Sequence, residues 1–404
     1  MVVAESFLPH INGVTNSVLQ VLTHLRRRGD QVTIIAPADS FLQARPLRRP
    51  LLEPAELCEG YPVIRVASLP LPVYPKVRVA AGFVTGLRHL LARIQPDVVH
   101  VASPFVLGWR AIQAADSLGL PVVSVYQTEV PTYAARYRQP WATELLWQHV
   151  ARMHRGCTTT LVPSSFSKNQ LAERGVQRLR IWRRGADSQR FTPARRSGQL
   201  RARIAPDGEL LIGFVGRLAA EKQIQDLVVL DSIPGTRLVI IGSGPQEVQL
   251  RRLLPRAYFA GFQTGEDLGA YVASLDVFVH PGEAETFCQT IQEAYAAGVP
   301  VVAVGRGGPL DLVDPGRTGW LYAPGDLAAL RSAVEHLVSD DGARAAFAAH
   351  AYQQVRGRSW EAVCNQLIGH YARSIEVNHR VQSSRAKKYI AAGGLSRTLL
   401  PGFD

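Results

Sequence analysis

Cysteine is sparse and scattered: Cys58, Cys157, Cys288 and Cys364 lie far apart, and no two form a CxxC pair. That spacing argues against structural zinc and a disulfide framework, and makes a reducing cytosol the simplest compartment. Long apolar runs are missing too; no stretch approaches the roughly 18–20 uncharged apolar residues of a transmembrane helix. The chain does not open with a basic stretch, an apolar run and a small-residue cleavage site, so export by that route is not expected. Its glycine turns, Gly242-Ser-Gly244-Pro245 and Gly305-Arg-Gly307-Gly308-Pro309, do not fit Gly-x-Gly-x-x-Gly, which leaves a dinucleotide fingerprint weakly supported.

The 404 residues are 47% hydrophobic and 19% charged, the profile of a soluble globular protein large enough for two domains. The formal charge of +12 is unevenly spread. Residues 1–195 hold 24 Lys and Arg against 12 Asp and Glu, whereas residues 196–404 hold 21 of each. Such an excess suits nucleic acid, an anionic membrane surface or an acidic small molecule, or is a solvated basic face with no partner. Arginine far outnumbers lysine and clusters at Arg26, Arg27, Arg28 and at Arg45, Arg48, Arg49.

Short β-branched runs bounded by Gly, Pro or Asp alternate with helical patterns. Strands are expected at Val2–Ala4, Val32–Ala36, Val63–Val66, Val98–Val101, Val122–Tyr126 and Thr160–Val162 in the first half. The second half adds Leu210–Val215, Leu238–Ile241, Val277–His280 and Val301–Val304. This alternation predicts an α/β protein with two doubly wound parallel sheets, each covered by helices on both faces. Ser164-Ser165 and Pro309-Leu310-Asp311 mark helix starts. The strandless, Arg-, Gly-, Ser- and Pro-rich stretch 185–206 reads as the linker between domains at 1–190 and 191–355. Ligands bind at the carboxyl ends of such strands, so a site is expected in the cleft between facing domains. A helix over 356–378 should pack back towards the first domain, followed by a polar, basic tail over 379–404. The first strand has barely three residues before Glu5, short of the usual five or six or so. Either it is truncated or Met1 lies inside a longer reading frame, and the second reading is preferred.

The strongest chemical signal is Glu285-Thr-Phe-Cys-Gln-Thr-Ile-Gln-Glu293, which follows a strand and opens a helix. Glu285 is placed in the loop ahead of that helix and Glu293 two turns inside it. The amides of Phe287 and Cys288 then belong to the free N–H groups of the helix start, suited to a phosphate. A carboxylate in the helix can accept hydrogen bonds from paired sugar hydroxyls. Upstream, strand Leu210–Val215 runs into Gly216-Arg217-Leu-Ala-Ala-Glu221-Lys222, an exposed turn whose Arg217 and Lys222 could neutralise a diphosphate. Cys288 is not read as a nucleophile, since no histidine lies in its motif.

In their order, GRLAAEK, GSGP, ETFCQTIQEAYAAGVPVV and GGPLDLV resemble the retaining GT-B glycosyltransferases of family four. The likeness continues in ESFLPHINGVTNSV, HVASPF, VYQTEVPTYAARY and LVPSS, over roughly residues 2–375. Within the family, YQTE, ETFCQTIQEA and GGPLDLV are most similar to actinobacterial GDP-mannose-dependent α-mannosyltransferases acting on glycolipid or inositol-lipid acceptors. The resemblance implies that Arg217 and Lys222, after Gly216, bind the donor diphosphate. Glu285 would hold hydroxyls of the transferred sugar, Phe287 and Cys288 would offer amides, and Glu293 would take the ribose hydroxyls. Gly13, in the Asn12-Gly13-Val14 loop, would approach the phosphate from the other domain, where a side chain would obstruct. Two positions depart from the pattern. Gln127 stands where many relatives carry histidine and can position or hydrogen-bond but not act as acid or base. Cys288 replaces a common glycine.

Retention often means a carboxylate nucleophile; the resemblance implies instead a front-face substitution in which the departing phosphate accepts the acceptor's proton. Charge stabilisation and orientation then carry catalysis. No cofactor is implied beyond the nucleotide sugar. Metal is dispensable on this reading, in keeping with the lack of an Asp-x-Asp motif. The expected enzyme is a hexosyltransferase moving α-mannose from GDP-mannose to a lipid, cytoplasmic and peripheral at the inner leaflet. Arg78, Arg88, Arg93, Arg136 and Arg138 are candidate membrane contacts, and Trp141, Leu145 and Trp147 form either an apolar contact face or, the preferred reading, core. Alternatives are a UDP-sugar donor with a soluble acceptor and, remotely, nucleic-acid binding, for which no recognition motif is present.

Overall fold

The computed structural model describes residues 1–10, 12–38, 56–71, 74–80, 83–129, 131, 141 and 143–391. The chain packs as two compact units, one of residues 1–125, 153–160 and 367–404, the other of 126–152 and 161–366.

The first unit contains β1 (Val2–Ala4), β2 (Ile34–Pro37), β3 (Leu57–Cys58), β4 (Tyr61–Val66), β5 (Ser68–Leu71), β6 (Tyr74–Ala80), β7 (Val99–Ala102) and β8 (Val122–Val125). Six of them run in the order β8-β7-β1-β2-β4-β3, while β5 and β6 form a separate antiparallel hairpin. β1 pairs in parallel with β2 on one side and β7 on the other, and all three of its residues are buried. Full pairing along both edges is what lets so short a strand hold. The carboxylate of Glu5, just after it, accepts N–H groups from Phe105, Val106, Leu107 and Gly108 at 2.9–3.1 Å. These are the orphan donors at the start of helix Leu107–Ser117.

Asn12 caps helix Gly13–Arg28 through the amides of Val14 and Thr15. Gly13 is therefore the first residue of a helix, where the sequence suggested a loop. Arg26, Arg27 and Arg28 form the last turn of this helix, where cations offset the negative end of the helix dipole. Part of the basic excess thus has a structural task. Arg45, Arg48 and Arg49 lie outside the described residues.

The C-terminal helix spans Trp360–Ala391. It begins later than 356 and passes into the stretch read as tail, because neither Gly nor Pro occurs in residues 379–392. Its second half belongs to the first unit, with Tyr371 Oη 2.8 Å from His100 Nδ1 and Asn378 Nδ2 donating to Gly119 O at 2.7 Å. Residues 392–404 lie outside the described residues.

After β9 (Thr159–Val162) and β10 (Leu179–Ile181), the second unit forms a six-stranded sheet of its own. Its strands are β11 (Leu210–Val215), β12 (Thr236–Ile241), β13 (Tyr258–Gly261), β14 (Val277–His280), β15 (Val301–Val304) and β16 (Gly319–Tyr322). The order is β13-β12-β11-β14-β15-β16, parallel throughout. Both faces are covered: Val239, Phe278 and Val301 enter one apolar core, and Phe214, Ile240 and Val302 the other. The chain winds outward from β11 to β13 and returns at β14, so the topological switch point lies between β11 and β14. The turns leaving those two strands carry Gly216–Lys222 and Pro281–Cys288.

The stretch read as a linker is strapped to this unit. Arg196 and Arg201 both reach Asp276, at 2.6 and 2.7 Å, and Ser197 N donates to Ser274 Oγ at 3.1 Å. A short helix, Gly198–Ile204, lies inside it. Among the described residues, no helix is long and apolar enough to cross a membrane.

Candidate active site

The turn after β11 tightens into a 3-10 turn at Ala220–Lys222. Lys222 is not the exposed side chain its glycine turn suggests: it is 19% exposed, and its ammonium donates to Glu285 Oε1. His280 Nε2, from the end of β14, lies 3.3 Å from the same oxygen. Arg217 donates to Glu221, a carboxylate buried to 1% exposure. A second tie joins the two turns: Gln223 Nε2 donates to Glu283 Oε1 at 3.0 Å, and Glu283 N to Gln223 Oε1 at 2.9 Å. Arg306 Nη1 adds a contact to Glu283 Oε2 at 2.9 Å.

Both glycine turns brace this arrangement. A Cβ at Gly242, at φ 140, would stand 1.9 Å from Gly216 O, and one at Gly307, at φ 71, 2.4 Å from Glu285 O. Gly308 N also donates to Glu285 O at 2.7 Å. The glycines recognised as strand-end turns thus let two backbones lie against the loops that carry Arg217 and Glu285.

Electrostatics follow from burial and pairing. Burial alone would raise the Glu285 carboxyl, but Lys222 and His280 outweigh it and hold the pKa at about 2. Burial opposes charge on His280, yet Cys288 and Glu285 lift its pKa to about 9. Glu293 goes the other way: burial dominates over Arg190 and Gln289 and raises its pKa to about 7. Two carboxylates of one motif therefore differ in charge state near neutrality.

Helix Gln289–Ala296 opens just after Cys288, which is in the left-handed region at φ 69. Glu293 lies about one turn inside, since the helix starts later than the sequence suggested. Among the described residues, neither Phe287 nor Cys288 donates its N–H to a hydrogen bond. Cys288 does have a histidine beside it: ligand atoms of His280, Glu285 and Cys288 all lie within 4.8 Å of one another. Sequence spacing hid this, because strand β14 supplies the histidine. The trio offers donors for a soft cation, although Lys222 and His280 already occupy Glu285 and an ion there would have to displace them.

Gln127 joins the same site. Its carbonyl accepts from Thr286 Oγ1 at 2.9 Å, and its side-chain Oε1 accepts from Arg184 Nη2. Gln292 Nε2 in turn holds Arg184 O at 2.8 Å. The second unit therefore unites Arg217, Lys222, Glu285, Phe287, Cys288, Glu293, Gln127 and Gly216, whereas Gly13 belongs to the first. The sequence reading gave no role to His280, Glu221, Glu283 or Arg184. His280 alone left a usable sign, a polar residue ending an apolar strand at the switch point.

Of the candidate membrane residues, Trp147 is buried as core, but Trp141 and Leu145 are 74% and 60% exposed. That corrects the reading of all three as core; a helix start lies at the edge of its unit's packing. Arg88 and Arg93 are exposed, Arg78 donates to Ser68 Oγ at 2.7 Å, and Arg136 and Arg138 lie outside the described residues.

Comparison with known proteins covers both halves of the chain. Glycosyltransferase Family 4 matches residues 11–190, and Glycosyl transferases group 1 matches residues 198–354. A GDP-mannose-dependent alpha-mannosyltransferase of Mycobacterium tuberculosis is 44% identical over 373 residues, covering 92% of this chain and 95% of the relative. One of Corynebacterium glutamicum is 39% identical over 381 residues, covering 94% and 90%. Among solved structures, Anabaena HepE in complex with UDP superposes with a TM-score of 0.72 at 20% identity, covering 92% of this chain and 98% of that one. With two Rossmann-like parallel-sheet units and this site at a switch point, the chain belongs to glycosyltransferase family four and is a nucleotide-sugar-dependent glycosyltransferase of the GT-B fold.

Proposed function

We propose that this enzyme transfers α-mannose from GDP-mannose, with retention, to a membrane glycolipid or inositol-lipid acceptor. The observation that carries the reading is the Lys222–Glu285 pair at the switch point, beside Arg217 and the unused amides of Phe287 and Cys288. Relatives 39–44% identical and named for GDP-mannose support the choice of donor.

In this reading Arg217 and Lys222 hold the diphosphate, and the amides at the start of helix Gln289–Ala296 seat one of its oxygens. Glu285 binds hydroxyls of the mannose and Glu293 those of the ribose. As the sugar–phosphate bond breaks, negative charge grows on the leaving phosphate where the cations already stand. That phosphate then takes the acceptor hydroxyl's proton on the same face of the sugar. The two cations make a metal unnecessary. The basic first half, 24 Lys and Arg against 12 Asp and Glu in residues 1–195, serves contact with an anionic inner leaflet from the cytoplasmic side.

A donor screen tests this. GDP-mannose, UDP-glucose, UDP-glucuronate and UDP-N-acetylglucosamine are scored by hydrolysis and by protection from melting, with and without EDTA. Protection by GDP-mannose alone, and turnover that survives EDTA, are expected; preference for a UDP-sugar would overturn the donor assignment.

A further inference from the structure

His280 ends β14 with its imidazole buried to 1% exposure, and neither ring nitrogen makes a hydrogen bond of good geometry among the described residues. Nε2 instead lies 3.3 Å from Glu285 Oε1. The ring stacks on Phe214, with centroids 6.0 Å apart and planes at 20°, so packing rather than hydrogen bonding sets its direction. A buried imidazole held in this way forfeits interactions that water would supply, and that cost asks what else its nitrogens could meet.

Its neighbours are metal-ligand atoms. Cys288 is buried, and its sulfur, a Glu285 carboxylate oxygen and a His280 nitrogen all lie within 4.8 Å of one another. Around a tetrahedral zinc ion with bonds of about 2.0–2.3 Å, such atoms stand roughly 3.3–3.6 Å apart. His280 Nε2 and Glu285 Oε1 already have that separation, which leaves the sulfur little more than about 1 Å to close. Both loop residues are fixed through their backbones: Glu285 O accepts from Gly308 N at 2.7 Å, and Cys288 holds the left-handed φ of 69. Three protein ligands with a fourth position left to water is how zinc is held at exchangeable sites.

We propose that His280, Glu285 and Cys288 form an inhibitory site for a soft divalent cation of the zinc class. Lys222 gates it: the ammonium sits on Glu285 Oε1, and a side chain 19% exposed can swing to solvent and yield the oxygen. The ion then takes Glu285 out of the pair on which the donor depends. As they become ligands, Cys288 and His280 release protons to solvent, since only the thiolate and the neutral imidazole bind metal. Sulfur and nitrogen ligands favour zinc over magnesium, which prefers an octahedron of oxygens. Cysteine completes the set; the glycine common at this position in the family resemblance leaves two ligands. The ion site stands on this geometry alone, whereas its effect on the donor rests on the function proposed above.

Cobalt(II) is the probe, because a cobalt–thiolate bond absorbs in the near ultraviolet. Titrated into the full chain after EDTA treatment and removal of the chelator, it should give that charge-transfer band, and zinc should erase it. Cys288→Ser and Cys288→Gly should lack the band and bind zinc at least about tenfold more weakly, since losing a ligand costs no less than losing an outer-shell partner. By calorimetry, zinc should weaken GDP-mannose binding to the wild type about tenfold or more, and GDP-mannose should weaken zinc by the same factor. Zinc bound to the sugar nucleotide in solution would act equally on the Cys288 variants, so a weakening confined to the wild type locates the effect in the site. Absence of the band, or its persistence in both folded variants, overturns the site. Zinc binding that leaves GDP-mannose affinity unchanged overturns the inhibition. Failure of the wild type to bind GDP-mannose without zinc sinks the donor assignment instead, and the cobalt band still decides the ion site.

Discussion

The Lys222 ammonium donates to the Glu285 carboxylate across 63 residues of sequence, joining the turns that leave the neighbouring strands β11 and β14. Neither residue waits unpaired for substrate. With His280 on the same oxygen, the pair sets a carboxylate between two cationic groups before any donor arrives. If the donor binds here as proposed, it would exchange contacts within a site already ordered, which would keep the reorganisation cost low.

Lys222→Ala is expected to abolish transfer while leaving a folded protein, because His280 still pairs with Glu285. Loss of one charge-assisted contact should cost roughly 1.5–3 kcal/mol in GDP-mannose binding, about ten- to 150-fold, and more in the transition state. Turnover assays beside a thermal melt check this. A variant with half the wild-type turnover would remove the diphosphate assignment.

Glu285→Gln and Glu293→Gln should fail differently. The first should lower turnover strongly, while the second weakens GDP itself. Glu293 adds a pH signature, since burial raises its pKa to about 7, above the ordinary glutamate value of 4.5. Between those values the native state holds a proton that the unfolded chain has lost, so this group's effect on stability becomes less favourable as pH rises to about 7. Glu293→Gln should therefore raise Tm at pH 8 relative to wild type and change it little near pH 4. GDP affinity of the wild type, dependent on the carboxylate, should rise across the same interval. Normal GDP binding by Glu293→Gln with loss in Glu285→Gln would reverse the two roles.

The strands of the second sheet that bear the site were legible because β11, β14 and β15 are continuous apolar runs buried on both faces. β13 and β16 were not, as edge strands such as Tyr258–Gly261 and Gly319–Tyr322 are only partly buried and carry glycine. Arg217, Lys222, Glu285 and Glu293 stood out through motif order, and the structure gathers them in one unit. Arg184 and Glu283 escaped because each acts through a partner distant in sequence, Glu221 because it looks like an ordinary surface charge, and His280 because it reads as the buried end of strand β14. Cys288 was singled out, but its left-handed backbone was not, since spacing does not reveal a dihedral angle.

That angle yields a test. Cys288 is buried at φ 69, a region glycine enters freely and β-branched residues almost never. Cys288→Gly should change stability by no more than about 1 kcal/mol, since relief of backbone strain offsets the lost side chain. Cys288→Val, although similarly apolar, should cost more than about 2 kcal/mol, because it strains the backbone at the start of helix Gln289–Ala296. Urea melts of both variants measure this. Equal stability of the two would show that the loop relaxes and that the left-handed residue is not imposed by its surroundings.

The membrane reading makes separable demands on charge and on apolar surface. Arg88 and Arg93 are exposed on helix Val84–Ile94 of the first unit, and Trp141 and Leu145 are exposed in the second. A basic residue at an anionic surface contributes about 1 kcal/mol, an effect that fades beyond a Debye length and so weakens with salt. Arg88→Glu with Arg93→Glu should therefore weaken binding to anionic vesicles at low salt by roughly tenfold or more. Trp141→Ser with Leu145→Ser removes apolar contact instead, and its loss should persist at high salt, because burial of apolar surface is not screened. Pelleting the full-length variants with phosphatidylglycerol and phosphatidylcholine vesicles, each at two salt concentrations, reads both terms. Equal wild-type binding to the two lipids would remove the electrostatic half of the proposal, and an unaltered Trp141→Ser, Leu145→Ser variant would remove the apolar half.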